Sequence, residues 1–198
     1  MGYTTDFLGH IDITPSLNEH EAAYLSAFRH SRHWDRPGGP YDVAANPFAE
    51  DGRGVDRDAY NSLGQGKPQL YCQWEVCWDG CCLTFDGGEK FYQPIRWLRY
   101  LIDHFLVPDA HAASSGLSVF DDFTFDHRLD GLIVGNRRDT REMFAICVDD
   151  SNVHQKTLVP GLDNYRGLPR LPYERAIDEW ADDLAEIRRS GRGPRAAG

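Results

Sequence analysis

Residues 70–92 read LYCQWEVCWDGCCLTFDGGEKFY. The step Asp79-Gly80 is a two-residue hairpin signal, because a tight type I′ turn needs positive φ at both central positions. With that turn, positions whose numbers sum to 159 face one another. Trp74 then meets Phe85, Val76 meets Leu83 and Trp78 meets Cys81 on one face. Gln73 meets Asp86, Glu75 meets Thr84 and Cys77 meets Cys82 on the other. The apolar pairs fall on a single side, so turn chemistry and hydrophobic pattern agree. The reading predicts Trp74 and Trp78 pointing inward and Glu75 outward.

The flanks extend this hairpin into a fold. Asp86 and Glu89 form a D-G-G-E capping box that predicts a helix opening near residue 89. Phe91, Ile95, Leu98, Ile102 and Phe105 then recur at helical spacing, and Pro108 ends the run. Upstream, residues 3–13 alternate: Tyr3, Thr5, Phe7, Ile11 and Ile13 on one side, Asp6, His10 and Asp12 on the other, as in a half-buried strand. Asn18 and Glu21 make another capping box, with Leu17 as staple, for a helix to about His33. Residues 35–68 hold four prolines and six glycines and predict a long irregular loop. Residues 129–134 and 142–148 predict a second hairpin, and residues 150–172 an irregular stretch. A last helix follows from Pro172, with Tyr173, Ile177, Trp180, Leu184 and Ile187 on one face. The order predicts an α+β fold of two layers: a mostly antiparallel sheet of about five strands with helices on one face. Residues 1–189 are expected to form one domain and 190–198 a flexible basic tail.

The 198 residues carry a formal charge of −10. Arg188, Arg189, Arg192 and Arg195 hold +4 of cationic charge near the C-terminus, which leaves −14 on residues 1–187. So acidic a body repels phosphate backbones and disfavours general nucleic-acid binding. No apolar run reaches the roughly 20 residues that span a bilayer, and the N-terminus lacks a signal-peptide pattern. The expected compartment is the cytoplasm, where five cysteines stay reduced.

No P-loop, G-x-G-x-x-G, G-x-S-x-G or H-E-x-x-H motif is present. In the 159 register Cys72 and Cys81 point to the core and Cys77 and Cys82 away from it. Four sulfurs on two faces do not surround one ion, so neither a metal nor another cofactor is expected. Cys77 and Cys82 are cross-strand neighbours that could oxidise together. His30 and His33 share one side of a helix end without an evident third ligand. Arg137 and Arg138, with Arg141, form a local basic cluster suited to a carboxylate or phosphate. Tyr71, Gln73, Glu75 and Thr84 mark an open sheet face with an exposed aromatic.

Three segments, GYTTDFLGHIDI, GKPQLYCQW and DGGEKFYQPIRWLRYLIDHFL, resemble a family of small uncharacterised bacterial and phage-associated proteins. The shared pattern is W-C-Q-W, then D-G-x-E-K-F-Y, then W-L-x-Y-L-I, with Tyr71 in place of its first tryptophan. It covers roughly half of the chain and omits 35–68 and everything beyond 150. No activity attaches to that family, so the resemblance implies no catalytic residues; it implies a link to mobile elements, defence or counter-defence.

Together these readings predict a non-enzymatic protein that binds another protein through Tyr71, Gln73, Glu75 and Thr84, or through its acidic last helix. The alternative is a small enzyme or binding protein for an anionic small molecule such as a nucleotide. Arg137 and Arg138 would then hold the anion, with Glu75 and Asp86 as acid and base.

Overall fold

Alternating side chains build the sheet from the first strand outward. In a computed structural model, which describes residues 4–50 and 52–162, strand β1 (Thr5–Thr14) places Thr5, Ile11 and Ile13 in the interior and leaves Leu8, His10 and Asp12 exposed. β1 pairs antiparallel with β3 (Cys82–Phe85) on one side and β4 (Arg128–Arg137) on the other. β2 (Trp74–Val76), β5 (Met143–Asp149) and β6 (Asn152–Val159) complete a six-stranded sheet in the order β2-β3-β1-β4-β5-β6. All pairings are antiparallel, and the helices cover one face, an α+β architecture. The described residues belong to one compact unit, Met1–Asp163. No helix among them is long and apolar enough to cross a membrane.

The core forms where the inward face of the sheet meets the helices. Helix α1 (Glu19–His30) starts at the anticipated capping box and ends three residues before His33. Glu21 closes that box while fully buried. Its carboxylate accepts hydrogen bonds from the Asn18 amide (2.8 Å), the Thr124 amide (2.7 Å) and the Thr124 hydroxyl (2.9 Å), and His127 Nε2 lies 3.2 Å away. Burial alone would raise this carboxyl, but the donors outweigh it and hold it below its ordinary value. Phe7 meets Trp74, Phe85, Phe91 and Phe144 edge-on at 4.9–6.1 Å between centroids, the preferred aromatic geometry.

Several sequence expectations need correction. A short helix, α2 (Arg57–Asn61), lies within the 35–68 segment, and the central helix does not open at Glu89: α3 runs Pro94–Leu101 and continues as a π-helical turn over Ile102–Leu106. Proline is favourable in a first turn and disfavours right-handed helix in its predecessor, and Gln93 lies outside the helix at φ 59°. Asp86 accepts instead from Arg29 and from the Gly88 amide at 2.6 Å. Residues 152–159, expected to be irregular, form β6. Its hairpin turns at Asp150 and Ser151, at φ 48° and 65°, so the double positive-φ turn occurs here.

The opening hairpin keeps its register but not its turn. Trp74 pairs with Phe85, Glu75 with Thr84 and Val76 with Leu83, and the Cys77 amide donates to Cys82 O at 2.9 Å. The chain then makes a four-residue loop over 78–81, closed by Gly80 N to Cys77 O at 3.0 Å, with positive φ at Gly80. Side-chain alternation stops at the last paired residue, so Trp78 leaves the sheet and is 96% exposed, where the sequence pattern places it inward. Cys81 leaves its expected core position for the same reason. The last helix and the basic tail lie outside the described residues.

Candidate functional site

The β2–β3 hairpin lies at one edge of the sheet, and a groove runs beside it. Arg32, Gln69, Leu70, Tyr71, Gln73, Glu89, Lys90 and Tyr92 line this space of about 370 Å³. Arg32 fixes its aromatic wall. The guanidinium stacks 4.7 Å from the Tyr60 ring centre and 5.0 Å from that of Tyr71. It donates to Tyr60 O at 2.9 Å, to Asn61 Oδ1 at 2.7 Å, and to the Tyr71 hydroxyl. Tyr71 stays 52% exposed. Gln73 donates to Glu89 O at 3.1 Å, which ties the 86–92 segment to the strand, while its buried Oε1 has no hydrogen-bond partner. Lys90 is left-handed at φ 61°, a conformation that costs a non-glycine residue about 1–3 kcal/mol.

The anticipated site residues divide accordingly. Tyr71 and Gln73 share the groove. Glu75 and Thr84 face each other across β2 and β3, with Glu75 3.7 Å from Arg29. Arg137 and Arg138 lie apart, at the β4–β5 hairpin. Arg138 donates twice to Asp6, at 2.8 and 2.7 Å, and Arg137 twice to Asp139, at 3.0 and 2.8 Å. Asp86 is bound to Arg29, and the cleft that Arg137 lines does not include it.

A second cleft, of about 310 Å³, includes Lys67, His104, Trp34 and Asp42 in its lining. Lys67 is 7% exposed. Its ammonium nitrogen donates to Tyr100 Oη at 2.8 Å and to Pro40 O, and lies 4.3 and 4.5 Å from the Phe28 and Tyr100 ring centres. Burial pushes its pKa down to about 7; Cys72 opposes the shift and Arg36 adds to it. Behind it, Tyr100 stacks on His104 at 3.8 Å, and His104 Nδ1 shares a 2.8 Å hydrogen bond with the Tyr41 hydroxyl. Burial, then His111 and Lys67, depress His104 to about 4, so its imidazole is neutral at physiological pH. Burial also pushes the Tyr100 phenol up, which keeps it protonated. This cluster is not visible in the sequence, because its members are dispersed over 28–111. One signal existed: only Lys67, Lys90 and Lys156 are lysines among 21 basic residues, and Lys67 stands in a Gly-Lys-Pro step.

At the hairpin tip, Cys77, Cys81 and Cys82 bring their sulfurs within 4.8 Å of one another, while Cys72 stays buried in the core. The sequence register separates Cys81 from the other two; the wider turn unites them.

No family model, curated protein or solved structure matches the chain.

Proposed function

We propose that this chain is a binding protein that recognises a segment of another protein along the β2–β3 edge, between the groove and the hairpin tip. The observation that carries this reading is Trp78, 96% exposed at the end of a well-paired hairpin. An unburied tryptophan forgoes roughly 4–6 kcal/mol of apolar stabilisation, and the fold draws nothing from it. Tyr71, Tyr92 and Arg32 stand along the same edge, and tryptophan, tyrosine and arginine are the residue types that dominate binding hot spots. The groove offers two cations and an anion, two amides and two phenols, which suits a polypeptide of mixed character. The segments that carry the phage-associated resemblance, around 71–74 and 86–92, meet at this groove, in keeping with a defence or counter-defence role.

The test is affinity capture with the purified chain, followed by calorimetry on whatever is retained. A partner held by the wild type should be lost, by at least about tenfold in affinity, in the Tyr71→Ala/Trp78→Ala variant. Retention of the same partner at unchanged affinity removes this edge from the account.

Lys67 favours a second reading, a small enzyme or binding protein for a carbonyl compound bearing an anionic group. A lysine amine near pKa 7 in a cleft is a candidate nucleophile. Its nitrogen would add to the carbonyl carbon and the adduct would lose water to an imine, with Tyr100 beside the amine to pass the proton. Glyoxylate with borohydride at pH 7 should then carboxymethylate Lys67 ahead of Lys90 and Lys156, as read by peptide mass mapping. Labelling of the other two with Lys67 spared ends this reading.

A further inference from the structure

The hairpin tip places four metal-ligand side chains within six consecutive residues, CWDGCC at 77–82. Cys77 Sγ and Cys81 Sγ are 3.6 Å apart, and the three thiol sulfurs all lie within 4.8 Å. An ion with tetrahedral bonds of 2.3 Å to sulfur needs sulfurs about 3.8 Å apart, so the spacing already approximates a thiolate cage. Asp79 stands beside two of the three cysteines, outside the group of sulfurs. Its Oδ1 accepts from the Cys77 thiol at 3.1 Å and from the Cys81 amide at 3.3 Å.

The geometry is held by the fold and does not depend on an ion. Cys77 and Cys82 are the last bonded pair of the hairpin, and the Cys82 amide donates to Cys77 Sγ at 2.7 Å. Such an N–H contact stabilises charge on a ligating sulfur. The loop is anchored from behind: Leu17 N donates to Gly80 O at 3.0 Å and Ile13 N to Cys81 O at 2.7 Å. Gly80 is required there twice over, by its φ of 72° and because a Cβ would lie 2.8 Å from Leu17 O. That anchoring turns Cys81 back over Cys77.

We propose that Cys77, Cys81 and Cys82 form a zinc site at the tip of the β2–β3 hairpin, with Asp79, which already touches Cys77 and Cys81, turning in as the fourth ligand. Three soft sulfurs and one carboxylate oxygen suit a borderline d10 cation and disfavour calcium or magnesium, which take oxygen cages. Binding exchanges protons for metal: Zn²⁺ with three thiols and one carboxylate gives the four-ligand complex and three protons, with no change of oxidation state. The thiols bind as thiolates, so zinc competes with protons and its affinity rises with pH. The site does not rest on the partner-binding reading, although the ion would stiffen the loop that carries Trp78.

Cobalt(II) serves as the spectroscopic probe on the full chain kept under reductant. One equivalent should give sulfur-to-cobalt charge-transfer absorption and intense tetrahedral visible bands, both abolished by stoichiometric zinc. The Cys77→Ser/Cys81→Ser variant should lose the charge-transfer bands, Asp79→Asn should weaken binding about tenfold or more, and Cys147→Ser should behave as wild type. Far-UV circular dichroism identifies any variant that fails to fold. Zinc added to weakly buffered wild type should release close to three protons per ion, which checks the donor set without mutation. No thiolate bands at one equivalent, or bands that persist in the folded double-serine variant, overturn the site.

Discussion

At the residue scale, Lys67 makes the sharpest statement about solution behaviour. Its pKa is about 7 in the fold against 10.5 when free. Between those values the unfolded chain holds a proton that the folded chain has lost, so stability rises with pH across the interval. The penalty for burying the charge is full below the folded value and gone above the free one. His104, at about 4 against 6.5, acts with the same sign at lower pH. The thiols of Cys72, Cys81 and Cys82, all pushed up, act with the opposite sign once unfolded thiols ionise at about pH 8.5. Lys67 therefore dominates between pH 7 and about 8, and the difference from Lys67→Met isolates it. Urea unfolding should show stability rising there by up to about 1.4 kcal/mol per pH unit, and Lys67→Met should flatten the profile. A flat wild-type profile means that the lysine remains charged. Glu21 is the other buried ion. Glu21→Ala strands the amides of Asn18 and Thr124, and urea unfolding should show a loss of about 2–4 kcal/mol. Glu21 was legible as a capping residue. Its burial was not, because the Thr124 amide and His127 reach it from more than a hundred residues away in the chain.

At the scale of elements, the two tryptophans of the edge hairpin separate packing from display. Trp74 is fully buried and donates to Pro94 O at 2.8 Å, so Trp74→Ala should cost about 3–5 kcal/mol. Trp78→Ala should change stability by no more than about 0.5 kcal/mol. Denaturant midpoints for the two variants check both, and a large loss at Trp78 would mean that the loop packs against the body. Strand register was readable because period-two burial fixes it: Trp74, Val76, Leu83 and Phe85 could all turn inward in only one alignment. The turn was not, since Asp79-Gly80 also fits a wider loop in which Gly80 alone takes positive φ, and nothing local distinguishes the two. The start of α3 was misread because the D-G-G-E capping pattern outweighed Pro94, whose ring sets the first turn. β6 was missed because an edge strand, with Val153 its one buried residue, shows no apolar alternation.

At the scale of the whole molecule, an acidic chain carries a locally mixed edge. Arg32 and Lys90 line the groove beside Glu89, and the opposite hairpin ties its cations to Asp6 and Asp139. The uncovered sheet face also shows Leu8, opposite Val134, and Leu132, opposite His10, both exposed, so it competes with the edge as a contact surface. The architecture was legible as a two-layer α+β arrangement from the order of elements and their faces. The sites were not, because each is assembled from segments far apart in sequence. Hydrogen exchange on the chain with its captured partner distinguishes the two surfaces most directly. Amide protection confined to residues 70–82 and 89–92 is the outcome expected of the edge. Protection instead along residues 6–12 and 130–134, with the hairpin unchanged, would contradict it.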